Sequence, residues 1–366
     1  LALHVAAFDD QDPVDVLQQV QSKGAPLIHG DRVTFVWQGD TVPALIGDFN
    51  DWLRDRPPQA LQRLGTDLWA CSLTFPLDSY IEYAFLVEGR HRVDPLNRGP
   101  VEKGLGVYNS AFWMPGATDT TLARARPGVP RGRVSRHQAP TRGYLADATR
   151  TVRLYQPPVS QPCPLLIVLD GQGYYQRAKL TTIMDNLIGA GRIRPLALAL
   201  VDAPRRGRTG EYACSDTTVA FLLHAVLPLA EEHLSVVDYR NAPGAHGLMG
   251  ASMGGLMSLY AALRAPETFG AVLCQSGAFF ADHLYFRSVL NDLVRLQPPP
   301  PCRIWMDAGR NEWYLEPNRR MSALLAQHGY NVRYLEHNSG HNYPSWRNSL
   351  WRGLEHLFPP IATASR

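Results

Sequence analysis

The sequence predicts an α/β protein in two parts, a short-stranded β-sandwich followed by an open, mostly parallel sheet with helices on both faces. Three observations carry that expectation. From Thr151 onward, apolar strand-like runs alternate with helix-length segments, as in a parallel sheet whose crossovers are helices. Between Leu27 and about Met114 there are instead short strand-like runs bounded by Gly, Asp, Asn or Pro, with no helical period between them. Third, Gly250-Ala251-Ser252-Met253-Gly254 lies where a strand runs into a helix and has the G-x-S-x-G spacing of a nucleophile elbow. A chain of 366 residues is too long for one typical domain and suits two. The expected division is a sandwich over 1–115, an Arg/Pro-rich linker with the next domain's first strand over 116–146, and the catalytic domain over 147–366.

Each element has a local reason. Asp12 reads as an N-cap and Pro13 as the first helical residue, with Val16, Leu17 and Val20 on one face. Arg32–Trp37 alternates like a half-buried strand, and Val42–Ile46, Leu68–Phe75, Ile81–Val87 and His91–Asp94 read the same way. Trp52 and Trp69 are candidates for stacking on a sugar or aromatic ligand, with core or edge packing as the plainer reading. Arg124, Arg126, Arg131, Arg133, Arg136 and Arg142 fall in a stretch with no acidic residue from Thr120 to Ala146. That stretch reads as a solvated linker, or else as a positive rim facing an acidic ligand.

In the second part the expected strands are Thr151–Tyr155, Leu165–Asp170, Leu196–Val201, Ala245–Ala251, Ala271–Gln275, Arg303–Asp307 and Val332–Glu336. The expected helices are about 177–190, 217–233, 253–264, 283–296, 315–328 and 345–357. Ligands in such sheets bind at the carboxyl ends of the strands.

The chemistry is read from those ends. A serine on a sharp strand-to-helix turn has its neighbours two before and two after in close approach, which favours glycine at both. It also stands at a helix N-terminus, where the Met253 N–H and the helix dipole favour a developing oxyanion. An activated serine needs a base, and the base an orienting acid, in the chain order Ser, Asp or Glu, His. His341, in the Gly340-His341-Asn342 loop after the last strand, is the expected base. His337 at the strand end, His246 ahead of the elbow and His283 at a helix start suit the role less well. Glu312, in the loop after Met306-Asp307-Ala308-Gly309, is the expected acid, with Glu316 in reserve and a Ser–His pair without an acid as a further option. The second oxyanion donor is expected to be the Gln172 N–H, in the Asp170-Gly171-Gln172-Gly173 turn, where Asp170 holds the loop. Arg205, Arg206 and Arg208 lie on a long loop after another strand, either bordering the pocket and favouring an anionic or catechol-like substrate or paired with Glu211.

Composition bounds the alternatives. A net charge of +3 does not argue for nucleic acid. Cys71, Cys163, Cys214, Cys274 and Cys302 are odd in number and dispersed, which reads as reduced buried thiols. No run approaches the roughly 18 apolar residues that a membrane span needs, and Leu1–Ala6 lacks the features of a signal peptide, so a cytoplasmic location is expected. Nothing has metal-ligand spacing and there is no phosphate-binding glycine loop, so no cofactor is expected.

The chain resembles the enterochelin esterase (esterase D-like) family of α/β-hydrolases over nearly its whole length. Gly47-Asp48-Phe49-Asn50-Asp51-Trp52 and Tyr83–Asn97 match that family's immunoglobulin-like N-terminal sandwich. Leu169-Asp170-Gly171-Gln172, Arg208-Thr209-Gly210-Glu211-Tyr212, Gly250–Gly255, Gln275-Ser276-Gly277, Ala308–Glu312 and Gly340-His341-Asn342 with Trp346 match its catalytic domain in order. Tyr212 stands where a leucine is expected, and Asn342 where an aspartate is expected. The resemblance implies an α/β-hydrolase catalytic domain that cleaves ester bonds of a small-molecule substrate, an iron-loaded catecholate siderophore, with Arg205, Arg208, Glu211, Tyr174 and Ser276 expected around the substrate. Feruloyl or acetyl esters of polysaccharides are the alternative substrates. A ligand-binding protein on an inactive scaffold is the alternative of another class.

Overall fold

Pro13 sets the first helical φ, and Val16 and Val20 recur four residues apart, so the first helix, α1 (Pro13–Lys23), buries one stripe made of these two side chains. In the computed structural model the described residues are 13–54, 56–102, 108–117, 119–279 and 285–361. The expected N-cap Asp12, the chain start and His283 lie outside them. The fold divides into two units: one runs to Asp119 and includes Gly309–Trp313 and Glu336–Ser345, and the other holds the remainder.

In the first unit α1 is followed by β1 (Leu27–His29), β2 (Arg32–Gln38), β3 (Pro43–Gly47), β4 (Gln59–Ala60), β5 (Gln62–Arg63), β6 (Leu68–Thr74), β7 (Tyr80–Val87), β8 (Arg90–Arg92), β9 (Pro100–Glu102) and β10 (Tyr108–Trp113). One sheet has the order β1-β2-β6-β5 and the other β4-β3-β7-β10-β9, with β8 on β7. Among the described residues the strands of both sheets pair antiparallel, and Tyr80 makes an isolated parallel bridge to Ser339. Alternate residues of both sheets meet in one core around Phe35, Phe49, Phe75, Tyr83 and Phe112. Phe35 contacts the other four rings, with Tyr83 at 4.9 Å edge-on. Trp69 belongs to this core and donates to the Gly39 carbonyl at 2.9 Å, so it is not a stacking platform. Trp52 donates to Asp48 Oδ1 at 3.0 Å and stacks on His91. The short β1, β4, β5, β9 and the strand β10 were not among the expected runs, and β8 is shorter than His91–Asp94 suggests.

The second unit opens with β11 (Arg133–Pro140) and β12 (Thr149–Gln156), then β13 (Leu165–Leu169), α2 (Gly171–Gln176), α3 (Leu180–Gly189), β14 (Ala197–Val201), α4 (Arg208–Tyr212), α5 (Asp216–Phe221), α6 (Leu227–His233), β15 (His246–Ala251), α7 (Met253–Arg264), β16 (Phe269–Gln275), α8 (Tyr285–Leu296), β17 (Arg303–Gly309), α9 (Leu315–Gln327), β18 (Asn331–His337) and α10 (Tyr343–Leu357). The eight-stranded sheet has the order β11-β12-β14-β13-β15-β16-β17-β18. From β14 through β17 neighbouring strands are parallel, whereas β11, β12 and β14 pair antiparallel. Strands β13, β14 and β15 are buried along their whole length, as apolar runs covered on both faces should be. Arg124, Arg126, Arg131, Arg133, Arg136 and Arg142 are all exposed. The expected helix over 177–190 is α3, and a further short helix, α2, precedes it. Helix α2 starts at Gly171, directly off β13, because Asp170 takes a left-handed turn at φ 57°.

Candidate active site

Ser252 sits one residue past β15 and one before α7, at φ 58° and ψ −125°. A non-glycine residue in that region is strained and persists only where its surroundings over-determine it. Here they do. The Ser252 N–H donates to the Gln275 carbonyl at 2.9 Å, and the Ser252 carbonyl accepts from Leu256 at 3.1 Å and Ala278 at 2.9 Å. A Cβ on Gly250 would lie 2.5 Å from the carbonyl carbon and oxygen of Gly254, the close approach that the motif's spacing anticipates. Ser252 is half-buried, while Ala251 before it and Met253 to Leu263 after it are buried.

The floor under the elbow is a buried polar network that the sequence reading missed. The Gln275 amide donates to Ser349 Oγ at 2.9 Å and to the Trp346 carbonyl at 3.1 Å. The Tyr174 hydroxyl donates to Gln275 Oε1 at 3.0 Å, and Trp346 Nε1 donates to Ser276 Oγ at 2.9 Å. Asp307 accepts from Trp305 Nε1 at 3.1 Å and from Ser349 Oγ at 3.3 Å. Tyr174 and Ser276 are fully buried in this network. Both were expected to line the substrate; in this fold Tyr174 is hydrogen-bonded to Gln275 and Ser276 to Trp346. The signal was present: Gln275 and Asp307 are polar residues in otherwise apolar strands, and buried polar groups need partners.

The basic loop is also tied down. Asp170 accepts from Arg208 through both carboxylate oxygens, with Nε at 2.8 Å from Oδ1. Glu211 receives Arg150 Nη2 on both oxygens at 3.1 Å, and Arg150 is nearly buried. Both Arg208 and Glu211 are thus engaged by residues outside the loop. Arg205 and Arg206 are exposed. Gln172, at the first turn of α2, is exposed. Burial raises the Asp202 carboxyl above the usual carboxylate range; Arg153 pulls it down, with a smaller lowering contribution from the Gln172 amide.

In the first unit, the loops after β17 and β18 bring a carboxylate and an imidazole together. His341 Nδ1 is 2.7 Å from Glu312 Oε2, and Glu312 Oε1 accepts the Gly309 N–H at 2.8 Å. The Glu312 side chain is fully shielded and the imidazole about a quarter exposed. The loops also brace each other: Arg310 N–H donates to the His337 carbonyl at 2.8 Å and Asn311 N–H to the Ser339 carbonyl at 3.2 Å. Glu316 instead points to solvent and pairs with Arg319. His337 Nδ1 is engaged by Ser339 Oγ at 2.6 Å. His246 is fully buried, accepts from the Leu165 N–H at 3.2 Å, and is pushed down to about 4 by that burial. The five cysteines are free thiols. Burial pushes Cys71, Cys214 and Cys302 up to about 12. Among the described residues no group of His, Cys, Asp and Glu is arranged to hold a metal ion, and no helix is long and apolar enough to cross a membrane.

Residues 145–357 match the family model described as putative esterase. The iron(III) enterobactin esterase of Dickeya dadantii is 27% identical over 93% of this chain and 92% of its own length. That of Escherichia coli K12 is 25% identical over 90% and 92%. Among solved structures, the enterochelin esterase of Shigella flexneri superposes with a TM-score of 0.76 at 23% identity, covering 94% of this chain and 97% of that one, which establishes likeness of fold.

Proposed function

The chain belongs to the putative esterase family, and from that premise we propose that it is a serine esterase in which Ser252 is the nucleophile, His341 the base and Glu312 the orienting acid. The observation that carries this reading is the 2.7 Å contact between His341 Nδ1 and a fully shielded Glu312. A carboxylate held on one ring nitrogen fixes the imidazole's orientation and stabilises the imidazolium formed when the other nitrogen takes a proton. Ser252 contributes the strained turn at a helix N-terminus.

In the proposed reaction the Ser252 hydroxyl attacks the ester carbonyl as its proton passes to His341. The oxyanion is held by the Met253 N–H with the Gln172 N–H as second donor. Collapse of the tetrahedral intermediate breaks the ester bond, and His341 returns the proton to the leaving alcohol. Water, deprotonated by the same imidazole, then releases the acid and restores the serine. No metal or cofactor is called for.

The proposed substrate is an ester of a catecholate siderophore. The support is that two relatives matching along nine-tenths of this chain are named iron(III) enterobactin esterases. Exposed Arg205 and Arg206 supply positive charge suited to an anionic catecholate. The test is S252A. It is expected to abolish turnover of a p-nitrophenyl ester and labelling by a fluorophosphonate while leaving the melting temperature within a few degrees of wild type. Retained turnover overturns the assignment of the nucleophile. Hydrolysing a catecholate siderophore and a feruloylated sugar side by side tests the substrate, and preference for the sugar overturns it.

A further inference from the structure

The Gly340-His341-Asn342 loop does not rest on its own strand alone; the sandwich holds it. Tyr80 N–H donates to the Asn338 carbonyl at 3.2 Å, and Asn338 Nδ2 donates to Asp78 Oδ1 at 2.7 Å. Asp48, from the Gly47–Trp52 turn, lies under the two residues flanking His341. A Cβ on Gly340 would overlap the Asp48 carboxylate, so glycine is what lets the loop settle there. On the other side of His341, Asn342 Nδ2 donates to Asp48 Oδ2 at 3.3 Å.

That carboxylate is 3% exposed and firmly fixed: Oδ2 also accepts the Glu82 N–H at 2.8 Å, and Oδ1 accepts Trp52 Nε1 at 3.0 Å. Asn342 is fixed at its other end. Its Oδ1 accepts from Ser345 N–H at 3.0 Å and Ser345 Oγ at 2.6 Å, which caps the start of α10. One amide thus joins the sandwich to the helix that follows the histidine, and its two ends are not interchangeable. The oxygen must face the helix amides, and the nitrogen must face the carboxylate.

We propose that Asp48 is a positioning residue for His341, acting through Asn342 and Gly340, so that the sandwich is part of the catalytic apparatus. This rests on the reading of His341 as the base. It assigns a use to the Gly47–Trp52 phrase, whose tryptophan donates to the same carboxylate. It also gives a reason for an amide at position 342: an aspartate there would set a second negative charge against a buried carboxylate.

The test is a cycle of N342D, D48N and D48N/N342D, with H341A as reference, assayed on p-nitrophenyl acetate. Aspartate caps a helix as well as asparagine does, so N342D keeps the α10 cap while it removes the donor facing Asp48 and sets a second carboxylate against it. N342D is expected to lower kcat by about tenfold or more with KM within about twofold, since a misplacement of about 1 Å can cost on the order of a hundredfold. D48N/N342D removes the charge repulsion and restores a donor facing an acceptor, at the expense of the acceptor that Asp48 Oδ2 offers the Glu82 N–H, and is expected to recover part of that loss. Wild-type kcat in N342D overturns the proposal, as does a loss that D48N leaves unrelieved. A loss that appears only in KM, or only as a lower melting temperature, also overturns it. H341A separates the two readings: turnover in H341A removes the base itself, whereas an inactive H341A with a fully active N342D removes only the role of Asp48.

Discussion

His341 Nδ1 and Glu312 Oε2 are 2.7 Å apart, and the second Glu312 oxygen is occupied by the Gly309 amide at 2.8 Å. An ionised carboxylate can only accept, so the proton of the first contact sits on Nδ1 and Nε2 is left as the basic nitrogen. The Gly309 amide stops the carboxylate from rotating away. Glu312 is therefore selective for one tautomer and one orientation of the His341 ring.

Replacing Glu312 by glutamine removes that selection, because an amide can present either a donor or an acceptor to Nδ1. E312Q is expected to lower kcat on an aryl ester by about 10²- to 10⁴-fold, the range expected when the wrong tautomer is stabilised. E316Q is the control, since Glu316 pairs with Arg319 at the surface. Steady-state kinetics on both variants check this: equal losses, or none in E312Q, contradict the assignment of the acid.

Much of this was legible because it depends on local spacing. Ser252, Gly250 and Gly254 announce the elbow by steric need alone, and β13 to β17 are apolar runs that only a doubly covered sheet accommodates. Glu312 and His341 were placed by where their loops fall relative to the late strands. What escaped was non-local or had a disguised period. Tyr174 and Ser276 look like strand-end residues open to substrate, yet their partners, Gln275 and Trp346, are 101 and 70 residues away in sequence respectively. The short strands β4 and β5 carry no alternation to detect. Asp48 and Asn342 each read as turn residues, and only the tertiary fold brings them together across 294 positions.

Glu211 separates the two readings of the basic loop. Arg150 is nearly buried and spends one guanidinium nitrogen on both Glu211 oxygens. Asp147 Oδ2 lies 3.2 Å from the same nitrogen, so removing Glu211 leaves Arg150 with one, more exposed, partner, and the cost falls short of the roughly 3–5 kcal/mol of a wholly unpaired buried charge. E211A is therefore expected to lower stability in urea melts by about 1–3 kcal/mol, with its effect on activity following from disorder of the loop. A substrate-contacting glutamate behaves in the opposite way, raising KM at unchanged stability. R205A, an exposed cation, is expected to leave the melt unchanged and to raise KM for an anionic siderophore ester but not for a neutral aryl ester.

His246 makes stability pH-dependent from inside the sheet. It is fully buried at the start of β15 and held down to about 4 by desolvation, with its Nδ1 accepting the Leu165 amide. An unfolded histidine titrates near 6.5. Between those two values the unfolded chain binds a proton that the folded chain refuses, so stability rises with pH across that window and is lost as pH falls through it. The full contribution is about 3 kcal/mol, present above the unfolded value and gone below the folded one. His137 and His356, whose values burial also lowers, act in the same direction. H246N keeps an acceptor for Leu165 and has nothing to titrate. Urea melts between pH 7.5 and 4.5 are expected to show a steep loss in wild type and a shallower one in H246N, and parallel curves would mean that acid unfolding is governed elsewhere.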